Sequence, residues 1–196
     1  MRTEDPRHYR WLRRGVFVAS CAPALALVWR GIRAELGANP IEAITHETGE
    51  WALRLLTLAL AVTPLRRALE ISWITPLRRT FGLLAFFYAS LHFFTFVALD
   101  HFFDWDLIVE DVLERRHVSA GFGAYCILAL LAAASTKAMA RRLGRRWRQL
   151  HQLIYPAALL SALHFIWLVK ADLREPLVYA AIIVSLLAWR IRHRAE

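Results

Sequence analysis

Trp147-Arg-Gln-Leu-His151-Gln-Leu-Ile-Tyr155-Pro156-Ala-Ala-Leu-Leu-Ser-Ala-Leu-His164-Phe-Ile-Trp167-Leu-Val-Lys170 is an apolar run closed by cations at both ends, and it carries two histidines. At about 1.5 Å per residue, the segment between Arg148 and Lys170 is long enough to cross a bilayer core of about 30 Å. Its imidazoles lie about 20 Å apart along the axis, one near each end. An ionisable side chain in lipid is costly and is by default a functional candidate. Two in one span ask for a ligand.

The rest of the chain is of the same kind. Of its 196 residues, 58% are hydrophobic, and the mean hydropathy is +0.37. The apolar residues come in long blocks, which excludes a single soluble domain. The formal net charge of +9 sits in short clusters between the blocks. That pattern reads as membrane topology and lipid contact, with no nucleic-acid binding. Cys21 and Cys126 each lie inside an apolar block. They exclude a disulfide framework, a cysteine-based zinc site and covalent haem attachment. Arg13-Arg14 lacks an export-type consensus, and too few apolar residues precede Val18-Ala-Ser-Cys21 for a cleaved leader. The first apolar segment therefore reads as a retained helix.

Six transmembrane helices are expected, at about 15–29, 51–65, 80–99, 118–136, 148–169 and 176–190, in one all-α domain covering 1–196. Lys and Arg set the orientation. Eighteen fall on the side shared by both termini and six on the other, with Arg54 inside a span. Both termini are expected in the cytoplasm. The acidic 100–117 connection, with Asp100, Asp104, Asp106, Glu110, Asp111 and Glu114, is expected outside.

Depth sorts the eight histidines. His8 and His193 lie in the tails and are expected to be solvated. His46, His101 and His117 fall in or beside outward connections and read as interfacial. His92, His151 and His164 lie within spans. His92 is about 12 Å from the outer end of its helix at Asp100, and His164 about 9 Å from its outer end at Lys170. Two imidazoles at similar depth on different helices have the geometry for axial ligation of one b-type haem. Phe93, Phe94, Phe165 and Trp167 are candidate walls for it. The same placement also serves two histidines hydrogen-bonded between helices.

His151 differs. It lies near the cytoplasmic face, and the position 14 residues before His92 is Arg78, which does not ligate iron. A symmetrical two-haem stack therefore lacks a fourth histidine. His151 either shares an iron, pairs with a ligand other than histidine, or serves another group. On a straight helix it would also face away from His164, with Pro156 between them as a site of bending. Gly121-Phe-Gly123 lies within a span and lacks the third glycine of a dinucleotide fingerprint, and no P-loop occurs. No soluble nucleotide-binding domain precedes Glu196, so electrons are expected from another molecule. The basic Lys137–Arg148 connection is a candidate dock for that donor or for a flavin phosphate. It equally fits topology with lipid phosphate contact.

Three blocks carry a family resemblance. Arg78-Arg79-Thr-Phe-Gly82-Leu83-Leu-Ala-Phe86-Phe-Tyr88-Ala-Ser-Leu91-His92 resembles the third-helix signature of the MsrQ (YedZ) family. Leu143-Gly144-Arg-Arg-Trp147-Arg-Gln-Leu150-His151-Gln-Leu-Ile-Tyr155, with His164-Phe-Ile-Trp167 and Lys170, resembles its fifth-helix signature. Leu36-Gly37-Ala-Asn-Pro40 and Ile44-Thr-His46-Glu-Thr48-Gly49 resemble its outer loop. The resemblance implies the haem-binding membrane subunit of a bacterial methionine-sulfoxide reductase system, within the ferric-reductase-like superfamily. It implies b haem at His92, His151 and His164, with FMN as a second cofactor for which no site can be read. Electrons would come from a cytoplasmic flavin reductase or quinone and pass to a periplasmic molybdopterin subunit. The location implied is the bacterial inner membrane. His46 belongs to the motif without a settled role. Phe165 and Phe96 depart from the pattern, standing where an aromatic hydroxyl is common.

The expected function is thus a six-helix cytochrome b that moves electrons across the membrane and does no bond-making itself. A metal-ion or quinone reductase of the same superfamily is one rival. A transporter or assembly factor with proton-relaying or zinc-binding histidines is another.

Overall fold

The computed structural model describes residues 6–193, with side chains from Trp11 onward. Arg2, Arg194 and the side chains of Arg7, His8 and Arg10 lie outside that description, and with them the expectation that His8 is solvated. Among the described residues there are nine α-helices and no strand: α1 (Pro6–Ile32), α2 (Pro40–Ala68), α3 (Leu77–Thr95), α4 (Trp105–Glu114), α5 (Arg116–Ala133), α6 (Lys137–Leu143), α7 (Arg145–Leu150), α8 (Ile154–Leu168) and α9 (Arg174–Arg192). Four stretches are long and apolar enough to cross a membrane: Trp11–Ile32, Ser72–Asp100, Arg116–Ala133 and Arg145–Leu168. They coincide with the expected spans at 15–29, 80–99, 118–136 and 148–169. The other two expected spans fall on α2 and α9. α2 carries Glu50 and Arg54 inside its length.

The chain forms two compact units, one ending at Asp100 and one beginning at His101. In the first, α2 packs along α3, and α1 touches both. The buried stripe of α2 is Leu55, Leu56, Ala59 and Leu60, and that of α3 is Leu84, Ala85 and Tyr88. These spacings of one, three and four residues keep each set on one helical face. Asn39 caps α2 by accepting from Glu42 N at 3.3 Å, with Pro40 in the first turn. Outward-facing Phe17, Leu25 and Trp29 on α1 and Phe87 and Phe94 on α3 are exposed, as helices bathed in lipid require.

Tyr88 ties α3 to α1. Its side chain is fully buried, its hydroxyl donates to Ser20 O at 2.6 Å, and it accepts from Ala24 N at 3.1 Å. Ser20 and Ala24 are the carbonyl and amide that an undisturbed α-helix would join directly. The tyrosine hydroxyl thus stands within the ladder of α1, beside Pro23, which already lacks an N–H.

In the second unit α5 packs on α8, which also carries α9, while α4 packs on α5. The α5 face is Ala120, Ala124, Leu128 and Leu131, and it meets Ala157, Ala158 and Ala162 of α8. Small residues on both sides let the backbones approach closely. Two regions expected as plain connections are helical. The acidic 100–117 segment holds α4, started by Asp104 accepting from Asp106 N and Leu107 N at 3.1 and 3.2 Å. It buries Ile108 and is too short to span. The basic 137–148 segment folds as α6 and α7, separated at Gly144, whose φ of 52° suits glycine. Thr136 Oγ1 caps α6 by accepting from Met139 N at 3.2 Å.

Helix interruption in the fifth expected span lies before Pro156, at a 3-10 turn over His151–Leu153. Pro156 offers no N–H to Gln152 O and crowds it. That carbonyl instead accepts from Ile154 N, and Pro156 falls in the first turn of α8, where its missing donor costs nothing.

Tyr88→Phe should leave Ser20 O and Ala24 N without the bridging hydroxyl in the core of the first unit. A loss of about 1–3 kcal/mol is expected, read as a lower Tm of the detergent-solubilised protein.

Candidate functional site

His92 sits on the α3 face that meets α2. Its Nδ1 lies 2.8 Å from Thr45 O, and the ring passes over Gly49, whose missing Cβ would stand 3.1 Å from both Nδ1 and Cε1. A carbonyl only accepts, so Nδ1 carries the proton. The neutral imidazole then presents its lone pair at Nε2. Just beyond His92, the helix widens into a π turn over Phe96–Asp100, and Phe96 N bonds to both His92 O and Phe93 O.

His164 is held in the same way in the other unit. Its Nδ1 lies 2.6 Å from His117 O, and the ring lies on Gly121, where a Cβ would meet Nδ1 at 2.7 Å. Its lone pair is again at Nε2. Metal-bound histidines use this arrangement, with the second nitrogen donating to a carbonyl that fixes tautomer and ring plane. An imidazole nitrogen presented in this way is the kind of donor that would hold a haem iron. Among the described residues no three His, Cys, Asp or Glu side chains gather as a protein-only metal cage.

His151 is seated differently. Its Nδ1 is 3.0 Å from Trp147 O, one turn back in its own helix. Its ring stacks on Trp147 with centroids 3.9 Å apart. Ser135 Oγ, which donates to Leu131 O at 2.7 Å, lies 3.4 Å from His151 Nε2. His193 repeats this local pattern on Trp189, at 2.8 Å for the bond and 4.2 Å for the stack. One turn past His151, Tyr155 OH accepts from Arg190 Nη1 at 3.1 Å, and the guanidinium lies 5.4 Å from the tyrosine ring centre. Arg190 is buried, although its sequence position reads as a simple topology charge.

The profile of the family described as "Ferric reductase like transmembrane component" matches residues 48–162. A Rhodospirillum rubrum protein is 49% identical over 185 residues, covering 91% of this chain and 86% of its own length. A Xanthomonas euvesicatoria protein is 46% identical over 182 residues (90% and 84%), and one from Herminiimonas arsenicoxydans 42% over 190 (95% and 87%). Each of these relatives is named "Protein-methionine-sulfoxide reductase heme-binding subunit MsrQ".

The chain belongs to the MsrQ family.

The block expected as an outer loop is helical from Pro40 onward, as the start of α2, and it gains a structural meaning from this geometry. Thr45 and Gly49, unassigned by the sequence, are the backbone seat of His92, and the adjacent His46 pairs with Glu50 at 3.1 Å. Glu50 also pairs with Arg54, whose guanidinium lies 5.1 Å from the Trp51 ring centre. His46, Glu50, Trp51 and Arg54, with Asn39, Glu42 and Glu47, line an open concavity of about 770 Å³. His101, expected as a plain interfacial histidine, contacts Asp111 at 3.0 Å, and Asp111 also holds Arg115 at 2.9 Å. His117 contributes through its carbonyl, a role that no side-chain pattern announces. Of the expected aromatic walls, Phe93 stacks on Phe96 at 6.4 Å, and Phe165 packs beside Tyr179 at 6.3 Å. Trp167 lies under Arg116 at 5.8 Å, and Phe94 points outward.

Trp147 also donates its indole N–H to Ala134 O at 2.9 Å, closing the C-terminal end of α5. Trp147→Ala removes both the donor and the stack. It should raise tryptic cleavage at Arg141, Arg142, Arg145, Arg146 and Arg148 severalfold, with Trp147→Phe intermediate because it keeps the stack.

Proposed function

We propose that this chain is the haem-binding membrane subunit of a methionine-sulfoxide reductase system, carrying electrons from the cytoplasmic or quinone side to a periplasmic molybdopterin subunit. Membership of the MsrQ family and the two carbonyl-seated histidines support that reading. In it His92 and His164, matched in depth along the sequence and in tautomer, would hold the haem iron. Haem b, when bound, supplies reversible one-electron transfer. The chain's part is to keep Nε2 of each ligand deprotonated, hold both rings by their Nδ1–H bonds and exclude water with apolar helix faces. His151, with the local seat beside Arg190 and Tyr155, stands at the cytoplasmic entry as a third haem-associated histidine.

The fold in this reading is one domain over 1–196 with six crossings of the inner membrane and both termini cytoplasmic. The unequal Lys and Arg distribution supports it. α4, with its acidic residues, lies on the periplasmic face as the contact for the reductase subunit. The arginines of α6 and α7 face the cytoplasm and receive an anionic partner. That partner is a flavin reductase or the phosphate of FMN, the second cofactor carried by the resemblance. Sulfoxide chemistry belongs to the partner subunit.

The deciding measurement is the absorption spectrum of the purified protein, oxidised and dithionite-reduced, for wild type and three histidine variants. A b-type reduced spectrum is expected, with most of it lost in His92→Ala and His164→Ala. Partial loss in His151→Ala would make that residue a ligand of a second or shared haem. His117→Ala should keep the spectrum, because the backbone carbonyl survives. A colourless wild type from haem-replete cells would sink the cytochrome and favour a transporter. Reporter fusions should place Glu196 in the cytoplasm and the α4 segment outside; the opposite result would reverse the topology.

A further inference from the structure

The two histidine seats are built to one pattern. In the first unit the acceptor is Thr45 O on α2, and a glycine, Gly49, follows four residues later. In the second the acceptor is His117 O on α5, and Gly121 follows four residues later. The histidine comes 47 residues after its acceptor in both cases. The acceptor and the glycine are on one helix, and the histidine is on the helix packed against it.

The glycine has a physical reason. A carbonyl inside an α-helix already accepts the N–H of the residue four positions on. A second donor must reach its remaining lone pair from the side. Helical side chains lean toward the N-terminus, so the Cβ at that fourth position stands over the carbonyl and closes the approach. Only glycine leaves it open. At Gly121 an added Cβ would lie 2.7 Å from His164 Nδ1 and 3.0 Å from Cε1, the nearer distance being one that real Cβ atoms essentially never show. The ring is held there by its 2.6 Å bond, so a shift away from the Cβ would lengthen or break that bond. At Gly49 the contacts would be 3.1 Å, so His92 would have to shift by a few tenths of an ångström. Elsewhere the same change meets little: Gly82 has nothing within 4 Å, and Gly123 meets only Leu160 Cδ1 at 3.5 Å.

We propose that Gly121 and Gly49 are positioning residues. By lacking a Cβ they admit the imidazoles of His164 and His92 to the helix carbonyl one turn back, and so set the tautomer and ring plane of the two ligands. Their importance for haem rests on the function proposed above, but the seating is a property of the polypeptide and can be tested without haem.

The test is a double-variant cycle read by thermal unfolding in detergent. Alanine favours a helix over glycine, so Gly82→Ala and Gly123→Ala should leave Tm unchanged or raise it. Gly121→Ala should lower Tm by about 2 °C or more, and Gly49→Ala by less. In the His164→Ala background the ring is gone, and Gly121→Ala should then be neutral or stabilising. Equal destabilisation in both backgrounds would make the glycine a helix-packing residue and overturn the proposal. Should Gly121→Ala fail to accumulate, accumulation of the double variant supports the seat, and its failure overturns it. The matching cycle is Gly49→Ala with His92→Ala. In haem-loaded protein, Gly121→Ala should also shift the low-spin electron paramagnetic resonance signal and the midpoint potential, while Gly123→Ala shifts neither. A wild type without haem would defeat the functional reading alone, and the apo-protein cycle would still judge the seat.

Discussion

A histidine between two membrane helices must place its N–H on an acceptor, and nearly every acceptor there is a carbonyl already engaged in its own helix. That constraint shapes both units. Each solves it by adding the imidazole N–H to the donors of a helix carbonyl, Thr45 O or His117 O. A bond of this kind requires the two helices to lie close enough for an imidazole to bridge them. Ala85 on α3 and Ala120, Ala124, Ala157 and Ala158 on α5 and α8 supply that closeness. A larger side chain at these positions would hold the backbones apart and lengthen the histidine bond before it filled any void.

The remaining polar contacts in the helix interfaces follow the same logic. Tyr88 satisfies a carbonyl and an amide of α1 at once, so the helix next to Pro23 keeps its donors and acceptors paired. Arg190 joins α9 to α8 through Tyr155. These groups are expensive to bury alone and inexpensive when paired, which makes them strong determinants of which helix lies beside which. His151 stands outside this scheme. Its Nδ1 bond and its stack are both with Trp147, one turn back, and the same device recurs at the tail residue His193. The two classes of histidine therefore differ in what seats Nδ1: a second helix for His92 and His164, and the local turn for His151.

Acidic and basic side chains are gathered on separate short helices of the second unit. α4 concentrates carboxylates, with Asp111 gathering His101 and Arg115, and α6 and α7 concentrate arginines. Both segments are short helices with one or two caps. They present their charges on a folded surface, which costs a docking partner less ordering entropy than a loop would. In the electron-carrying role proposed above, surfaces of opposite sign would give each partner a distinct address.

Much of this was legible in the sequence, because hydrophobic blocks of about 20 residues leave the backbone one acceptable form. The helices within 80–99, 118–136 and 148–169 followed from that alone, and the three signature blocks carried the family. The seats did not. Thr45 and His117 act through carbonyls, which every residue possesses, and Gly49 and Gly121 act through an atom they lack. Neither leaves a mark in composition or periodicity until the helix that carries the histidine is known to lie across them. The bend expected at Pro156 lies at His151–Leu153 for a related reason: proline's effect falls on the carbonyl four residues earlier. Apolar patterning therefore determined that these segments are helices. Tertiary packing decided which carbonyl each imidazole meets, because that bond depends on the approach of two backbones distant in the chain.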